Sequence, residues 1–211
     1  MTHELAEQQR HLVERIRAST GIADERILNA FASVPRHEFL SELQRPLAYE
    51  DRALPLDEGQ TVSQPSMIAI MLGELACEAG QRALEVGAGS GYAAALLGCL
   101  VAEVHAVEVR PGLARRARAT LARLGTKNVH VVAGDGSLGL PEHAPFDRIL
   151  VSAAPERVPE ALLEQLAPGG QIAIPVGDDR SQTLLVGHKA HGTGIDWRRT
   201  VPCIFVPLVS G

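Results

Sequence analysis

Apolar positions recur at helical spacing near the start of the chain. Leu12, Val13 and Ile16 stand among charges between about Ala6 and Ala18, and Ile27, Leu28 and Phe31 repeat the pattern over Asp24 to Phe31. Two amphipathic helices are expected. Val34-Pro35-Arg36-His37 breaks the second, and the stretch to Glu58 carries Pro46 and Pro55 without clean periodicity, so it reads as loop with short elements. After Pro65 the run Met67-Ile68-Ala69-Ile70-Met71-Leu72 predicts a helix leading to Gly80. Strands are then expected at Ala83–Val86, Glu103–Val109, Val129–Ala133, Arg148–Ser152 and Gln171–Pro175. Helices fall between them at about Tyr92–Leu100, Leu113–Leu124 and Pro159–Leu166. This alternation implies right-handed crossovers and a doubly wound, mainly parallel α/β sheet covered on both faces. Thr183–Lys189 and Cys203–Leu208 come last with a turn-rich stretch between them, so an antiparallel addition at one side of the sheet is expected.

A length of 211 residues suits a single domain. Residues 1–65 read as a helical appendage on the substrate side and residues 66–211 as the α/β core. Lys and Arg total 20 against 25 for Asp and Glu, and the charge of −5 gives no general attraction for phosphate backbones, which disfavours a nucleic-acid substrate. No apolar run approaches the roughly 20 residues that span a bilayer, and the polar start Met1-Thr2-His3-Glu4 lacks a signal core, so a cytoplasmic protein without membrane partners is expected. Cys77, Cys99 and Cys203 show no CxxC spacing, and the eight histidines, His191 among them, show no HExxH pattern. No disulfide framework and no metal site is expected.

In an open parallel sheet, ligands sit at the carboxyl ends of the strands. Here the first core strand runs into Leu84-Glu85-Val86-Gly87-Ala88-Gly89-Ser90-Gly91-Tyr92. The spacing is GxGxG preceded by an acid, whereas the dinucleotide fingerprint is GxGxxG. A dinucleotide brings a pyrophosphate that wants bare N–H groups, while S-adenosylmethionine brings a sulfonium, an ammonium and one carboxylate. The acid at Glu85 suits the second, with Gly87, Gly89 and Gly91 letting the backbone approach the ligand. Glu108 ends the next strand, where a carboxylate can accept from ribose hydroxyls, and Gly134-Asp135-Gly136 ends the third, where Asp135 can accept from an adenine amino group beside Gly136. The competing reading makes Glu108 and Asp135 ordinary strand-end turn residues.

Gly59-Gln60-Thr61-Val62-Ser63-Gln64-Pro65 precedes the helix that leads into the core. At this segment the chain resembles the protein-L-isoaspartate O-methyltransferase family, whose hallmark is Gly-Gln-Thr-Ile/Val-Ser-Gln-Pro. The resemblance extends through Val34-Pro35-Arg36-His37-Glu38-Phe39, Tyr49-Glu50-Asp51, Leu54-Pro55-Leu56, the Leu84–Tyr92 loop and Gly134-Asp135-Gly136. It continues in Ala144-Pro145-Phe146-Asp147, Ser152-Ala153-Ala154-Pro155, Pro168-Gly169-Gly170, Pro175-Val176-Gly177 and Phe205-Val206-Pro207-Leu208. Departures are small: Ala88 stands where Thr or Ser is common, Asp57-Glu58 replaces a glycine-containing pair, and Cys203-Ile204 precedes Phe205 where the family varies.

The resemblance implies a Rossmann-like methyltransferase fold and transfer of a methyl group from S-adenosylmethionine to the free α-carboxylate of an isoaspartyl residue, leaving S-adenosylhomocysteine. The ester then collapses to a succinimide. It further implies isoaspartyl proteins and peptides as partners, with Ser63 as the catalytic position; a monomer is expected. Gln60, Thr61, Val62 and Ser63 would join Glu85, Gly87, Gly89, Gly91, Glu108, Asp135 and Gly136 around the cofactor. Arg36 and His37 are weaker candidates for substrate binding, and Ser63 also fits a helix-start signal ahead of Pro65. Other outcomes of the same fold are methylation of aspartate in a tailored peptide, of a small molecule or of RNA, and a non-catalytic nucleoside-binding domain would show a broken loop or missing acids.

Overall fold

Helix α1 (His3–Thr20) opens the computed structural model, which describes residues 3–190 and 194–209; Met1, Thr2 and His191 lie outside them. Leu12 and Ile16 are one turn apart on α1 and both are fully buried. Helix α2 (Glu25–Ser33) starts where the Asp24 carboxylate accepts the Arg26 N–H at 2.9 Å, a cap of about 1 kcal/mol, and buries Ile27, Leu28, Ala30 and Phe31. The proline-bearing stretch that follows holds short 3-10 turns at Arg36–Phe39 and Arg45–Leu47. A two-stranded antiparallel hairpin comes next, β1 (Leu54–Pro55) with β2 (Thr61–Val62), and leads into α3 (Pro65–Leu75).

The core then alternates as the sequence pattern requires: β3 (Arg82–Val86), α4 (Tyr92–Gly98), β4 (Glu103–Glu108), α5 (Pro111–Arg123), β5 (Val129–Ala133), β6 (Phe146–Val151), α6 (Glu160–Glu164) and β7 (Leu166–Gly177). Two further strands, β8 (Gln182–Lys189) and β9 (Ile195–Cys203), complete a seven-stranded sheet of order β5-β4-β3-β6-β7-β8-β9. Pairings from β5 to β7 are parallel, and β7-β8 and β8-β9 are antiparallel. The chain winds outward from β3 in one direction and then returns to add β6 on its other side, so ligand space opens where β3 ends.

The period-2 alternation of the strands divides the interior into two layers. Ala83, Leu150 and Ala173 face the helices α1 to α5, and the small side chains let those helices lie close. Leu84, Val86, Ile149, Val151, Ile172 and Ile174 face the other way, against Leu162 of α6 and Leu140. The N-terminal helices share the first layer: Leu12, Phe31, Leu72 and Leu97 belong to one continuous cluster.

The last strand differs from the sequence expectation. Cys203–Leu208 is not the strand that pairs with β8; Ile195–Cys203 is. Being an edge strand, β9 leaves Asp196, Arg198 and Arg199 exposed, so it lacks the apolar alternation that reveals a half-buried strand, and its charges blunt the open edge. The segment after Cys203 leaves the sheet and crosses the carboxyl ends of the strands. There the Ala154 N–H donates to the Val206 carbonyl at 2.8 Å and the Leu208 N–H to the Ala154 carbonyl at 2.9 Å.

Candidate active site

Three glycines in left-handed conformation carry the chain from β3 into α4: Gly87 (φ 86°), Gly89 (φ 52°) and Gly91 (φ 87°). The Gly87 and Ala88 N–H groups donate to the Val107 carbonyl at 2.9 and 3.1 Å, which ties the loop to the end of β4. At Gly91 the need is steric as well as conformational, because a side-chain carbon would stand 3.2 Å from Cβ of Ala117 on α5.

Glu108 is buried at the end of β4, with its carboxylate fixed on both oxygens. Oε2 accepts the Gly89 N–H at 2.7 Å and Oε1 the Arg110 N–H at 2.9 Å. So oriented, it lines a narrow cavity with Gln60, Thr61, Gly87, Gly136 and Ser152, roofed by Val206 to Val209. Gly136 has to be glycine here, since a side-chain carbon would lie 2.6 Å from Val86 Cγ1. Asp135 is engaged in a turn: its Oδ1 accepts the Ser137 N–H at 2.9 Å and the Ser137 hydroxyl at 2.6 Å, capping a 3-10 turn at Gly136–Leu138. Gly136, rather than Asp135, is in the cavity wall.

Glu85 has no solvent exposure. The Ser152 hydroxyl donates to its Oε1 at 3.3 Å, and among the described residues Oε2 has no partner within hydrogen-bond geometry. Burial pushes the carboxyl up to about 8, the Ser152 hydrogen bond opposing and the nearby Glu108 charge adding to the shift. Glu85 borders a second narrow cavity with Val62, Ser63, Gly87, Gly89 and Ser90. An unpartnered carboxylate oxygen in a buried wall calls for a proton or a cation, and an ammonium group fits that demand.

Ser63 stands at a boundary. It lines the Glu85 cavity and also a wider open cleft of about 570 Å³, bordered by Gln64, Met67, Arg180, Gln182 and Phe205. The helix-start reading of Ser63 is not what the structure shows. Gln64 is the N-cap of α3 and makes no side-chain cap bond; the Asp51 carboxylate takes the Ser66 N–H at 2.8 Å instead. The hydroxyl of Ser63 is therefore spared from capping. The hairpin that presents it turns through Glu58 (φ 59°) and Gly59 (φ 71°), and the Leu56 N–H closes it onto the Gln60 carbonyl at 2.6 Å.

Arg36 and His37 are not in the cleft. His37 is buried, its Nδ1 2.7 Å from the Tyr49 hydroxyl, which donates to Gln9 of α1 at 3.0 Å. Arg36 is fully buried beneath the substrate segment. Sequence reasoning missed Ser152 as the partner of Glu85, Asp51 as the helix cap, and Gln182, whose amide donates to the Phe205 carbonyl at 3.0 Å and accepts the Phe205 N–H at 2.6 Å. Gln182 directly precedes the expected strand Thr183–Lys189, but nothing local marks it, because its partner lies 23 residues away. Among the described residues no cluster of three or more His, Cys, Asp or Glu is placed to hold a metal ion.

Residues 7–211 match the family model described as Protein-L-isoaspartate(D-aspartate) O-methyltransferase (PCMT). The chain is 49% identical over 208 residues to the protein-L-isoaspartate O-methyltransferase of Roseiflexus sp. (strain RS-1), covering 99% of this chain and 94% of that one. It is 52% identical over 190 residues to that of Anaeromyxobacter dehalogenans (strain 2CP-1 / ATCC BAA-258), covering 89% and 91%. A solved Plasmodium falciparum chain, assigned as a protein-L-isoaspartate O-methyltransferase and holding S-adenosyl-L-homocysteine, superposes with a TM-score of 0.83 at 25% identity, covering 96% of this chain and 99% of that one.

Proposed function

The chain belongs to the protein-L-isoaspartate(D-aspartate) O-methyltransferase family, and from that premise we infer that it methylates the free α-carboxylate of L-isoaspartyl residues in damaged proteins and peptides. The methyl donor is S-adenosylmethionine and the product S-adenosylhomocysteine. The observation that carries the reading is the place of Ser63, between the cavity walled by Glu85 and the glycine loop and the open cleft where a polypeptide can lie.

Bound in the glycine-loop cavities, S-adenosylmethionine supplies an electrophilic methyl group on a sulfonium. Glu85 would meet the ammonium of the cofactor's amino acid portion, Glu108 would accept from the ribose hydroxyls, and Gly87, Gly89 and Gly136 would let the backbone lie against the nucleoside. Gln60, Thr61 and Val62 close the substrate side, and Asp135 holds the turn that presents Gly136. The substrate carboxylate, with a reference pKa of about 3.5, is ionised at neutral pH, so no general base is required of the protein. What remains is alignment and exclusion of water. The neutral hydroxyl of Ser63 orients the carboxylate without quenching its nucleophilicity, as a cationic partner would. The methyl ester carbonyl is then attacked by the following backbone nitrogen, methanol leaves, and a succinimide forms without help from the enzyme.

The same reading takes the protein as a cytoplasmic monomer acting on polypeptides rather than nucleic acid, in keeping with its net charge of −5. No helix of the described residues is long and apolar enough to cross a membrane. Mass spectrometry of an isoaspartyl peptide incubated with enzyme and S-adenosylmethionine is expected to show a base-labile methyl ester and then the succinimide. Transfer only to a small molecule or to RNA would overturn the assignment.

Glu108→Ala is expected to weaken S-adenosylmethionine binding by roughly 1.5 to 3 kcal/mol, the scale for hydrogen bonds to a charged group; calorimetry showing unchanged affinity would remove Glu108 from the site. Binding is also expected to release a proton from Glu85. With the carboxyl pushed up to about 8, the unliganded protein holds this proton at neutral pH. An arriving ammonium expels it, so S-adenosylhomocysteine titrations in buffers of different ionisation enthalpy are expected to show about one proton released at pH 7 and almost none at pH 9 or in Glu85→Gln. A carboxyl raised in the folded state favours folding less as pH climbs from about 4.5 to about 8, so Glu85→Gln is expected to melt higher than wild type at pH 8 without ligand. Buffer-independent heats of binding would refute the linkage.

A further inference from the structure

We propose that Arg36 is a positioning residue for methyl transfer, holding Ser63 against the cofactor loop by gripping its carbonyl from beneath. The proposal rests on the reading of Ser63 as the catalytic position. Arg36 is fully buried, and among the described residues no carboxylate forms an ion pair with it, Asp51 acting on it only from a longer distance. A buried, unpaired charge is costly, and an apolar side chain would fill the space with less penalty. The guanidinium is instead spent on backbone carbonyls. Nη1 donates to Ala48 at 2.8 Å and Glu50 at 3.0 Å, and Nη2 donates to Arg52 at 3.0 Å and Ser63 at 3.2 Å.

Three of these carbonyls belong to the strip ahead of β1, and the fourth belongs to the residue that faces the cleft. A planar fork with five donors is the side chain that can hold them together. The guanidinium also lies 5.8 Å from the centroid of the Tyr92 ring, and Tyr92 is the first residue of α4 after the glycine loop. Arg36 thus touches both sides of the reaction space, the substrate segment through Ser63 and the cofactor loop through Tyr92, without reaching either ligand. Asp51 secures the same segment one turn further on, through the Ser66 N–H. With both ends held, the Ser63 hydroxyl has a fixed origin.

The test is a double-mutant cycle with two replacements for Arg36. Arg36→Lys keeps the charge without the fork, and Arg36→Gln removes the charge while keeping a short donor. With Ser63 present, each is expected to lower kcat about tenfold or more, leaving the KM for an isoaspartyl peptide and the affinity for S-adenosylhomocysteine within about threefold. In the Ser63→Ala background the same changes are expected to lower kcat less than about threefold, because the hydroxyl they position is gone. Equal losses in both backgrounds, or a loss of S-adenosylhomocysteine affinity in step with kcat, would make Arg36 a structural residue and overturn the proposal. The underlying assignment fails separately: if Ser63→Ala alone retains full kcat, the reading of Ser63 falls whatever the Arg36 variants do.

Discussion

Ser63→Ala is expected to lower the rate of methyl transfer by about ten- to a thousandfold, equivalent to ~1.4 to 4 kcal/mol of alignment and electrostatic stabilisation, while cofactor affinity stays near that of wild type. The asymmetry follows from where the residue sits. Ser63 borders the cleft as well as the Glu85 cavity, whereas the polar groups proposed to hold the nucleoside and amino acid, Glu108 and Glu85, are fixed by Gly89, Arg110 and Ser152. Removing one hydroxyl leaves those contacts standing. It leaves the fold standing too, because α3 takes its cap from Asp51 and not from Ser63. Single-turnover methylation, calorimetric affinity for S-adenosylhomocysteine and a melting curve together check the claim. A collapse in melting temperature would return Ser63 to a structural role, and an unchanged rate would remove it from the chemistry.

The cofactor half of the site could be read from the sequence because its parts are local. A strand, a glycine-rich turn and an acid at the next strand end are contiguous patterns, and β3, the Gly87–Gly91 loop and Glu108 meet within a few ångströms for reasons of topology alone. Strand β5 matched the expectation to the residue, and the ends of α4, α5 and β6 shifted by one or two positions. What escaped depends on distant partners or on the absence of pattern. Nothing near Arg36 in sequence says that it lies under Ser63, 27 residues on, and an arginine beside a histidine reads more naturally as a solvent-facing pair. Asp135 stands at a strand end as expected, where Ser137 two positions later claims its Oδ1, the turn role that the competing reading of the sequence names. Strand β9 is polar because it is an edge, so the apolar run after Cys203 drew the assignment away from it.

The purified protein is expected to favour an isoaspartyl peptide over its aspartyl isomer by at least about a hundredfold in kcat/KM. In isoaspartate the free carboxylate is attached to the α-carbon and the main chain runs through the side-chain methylene, so the reacting oxygen and the flanking amides occupy different places in the two isomers. The cleft can sense that difference because its walls are fixed on three sides. Ser63 is set by the hairpin and by the Arg36 bond to its carbonyl, Gln182 is locked to both the N–H and the carbonyl of Phe205, and the rim continues through Met67 on α3. A peptide whose backbone is seated between these walls has one place for its carboxylate. The aspartyl isomer, seated the same way, brings its oxygen to the wrong point, and a displacement of about 1 Å at the reacting atom costs on the order of a hundredfold. Because no base is needed for either isomer, the discrimination does not arise from protonation and is expected to persist unchanged from pH 6 to pH 8, a range in which both carboxylates are ionised. Initial rates with matched peptide pairs across that range decide the matter: comparable labelling of the two isomers would sink the repair assignment while leaving methyl transfer intact, and a ratio that changed with pH would point to a titrating group in the cleft in place of geometric fit.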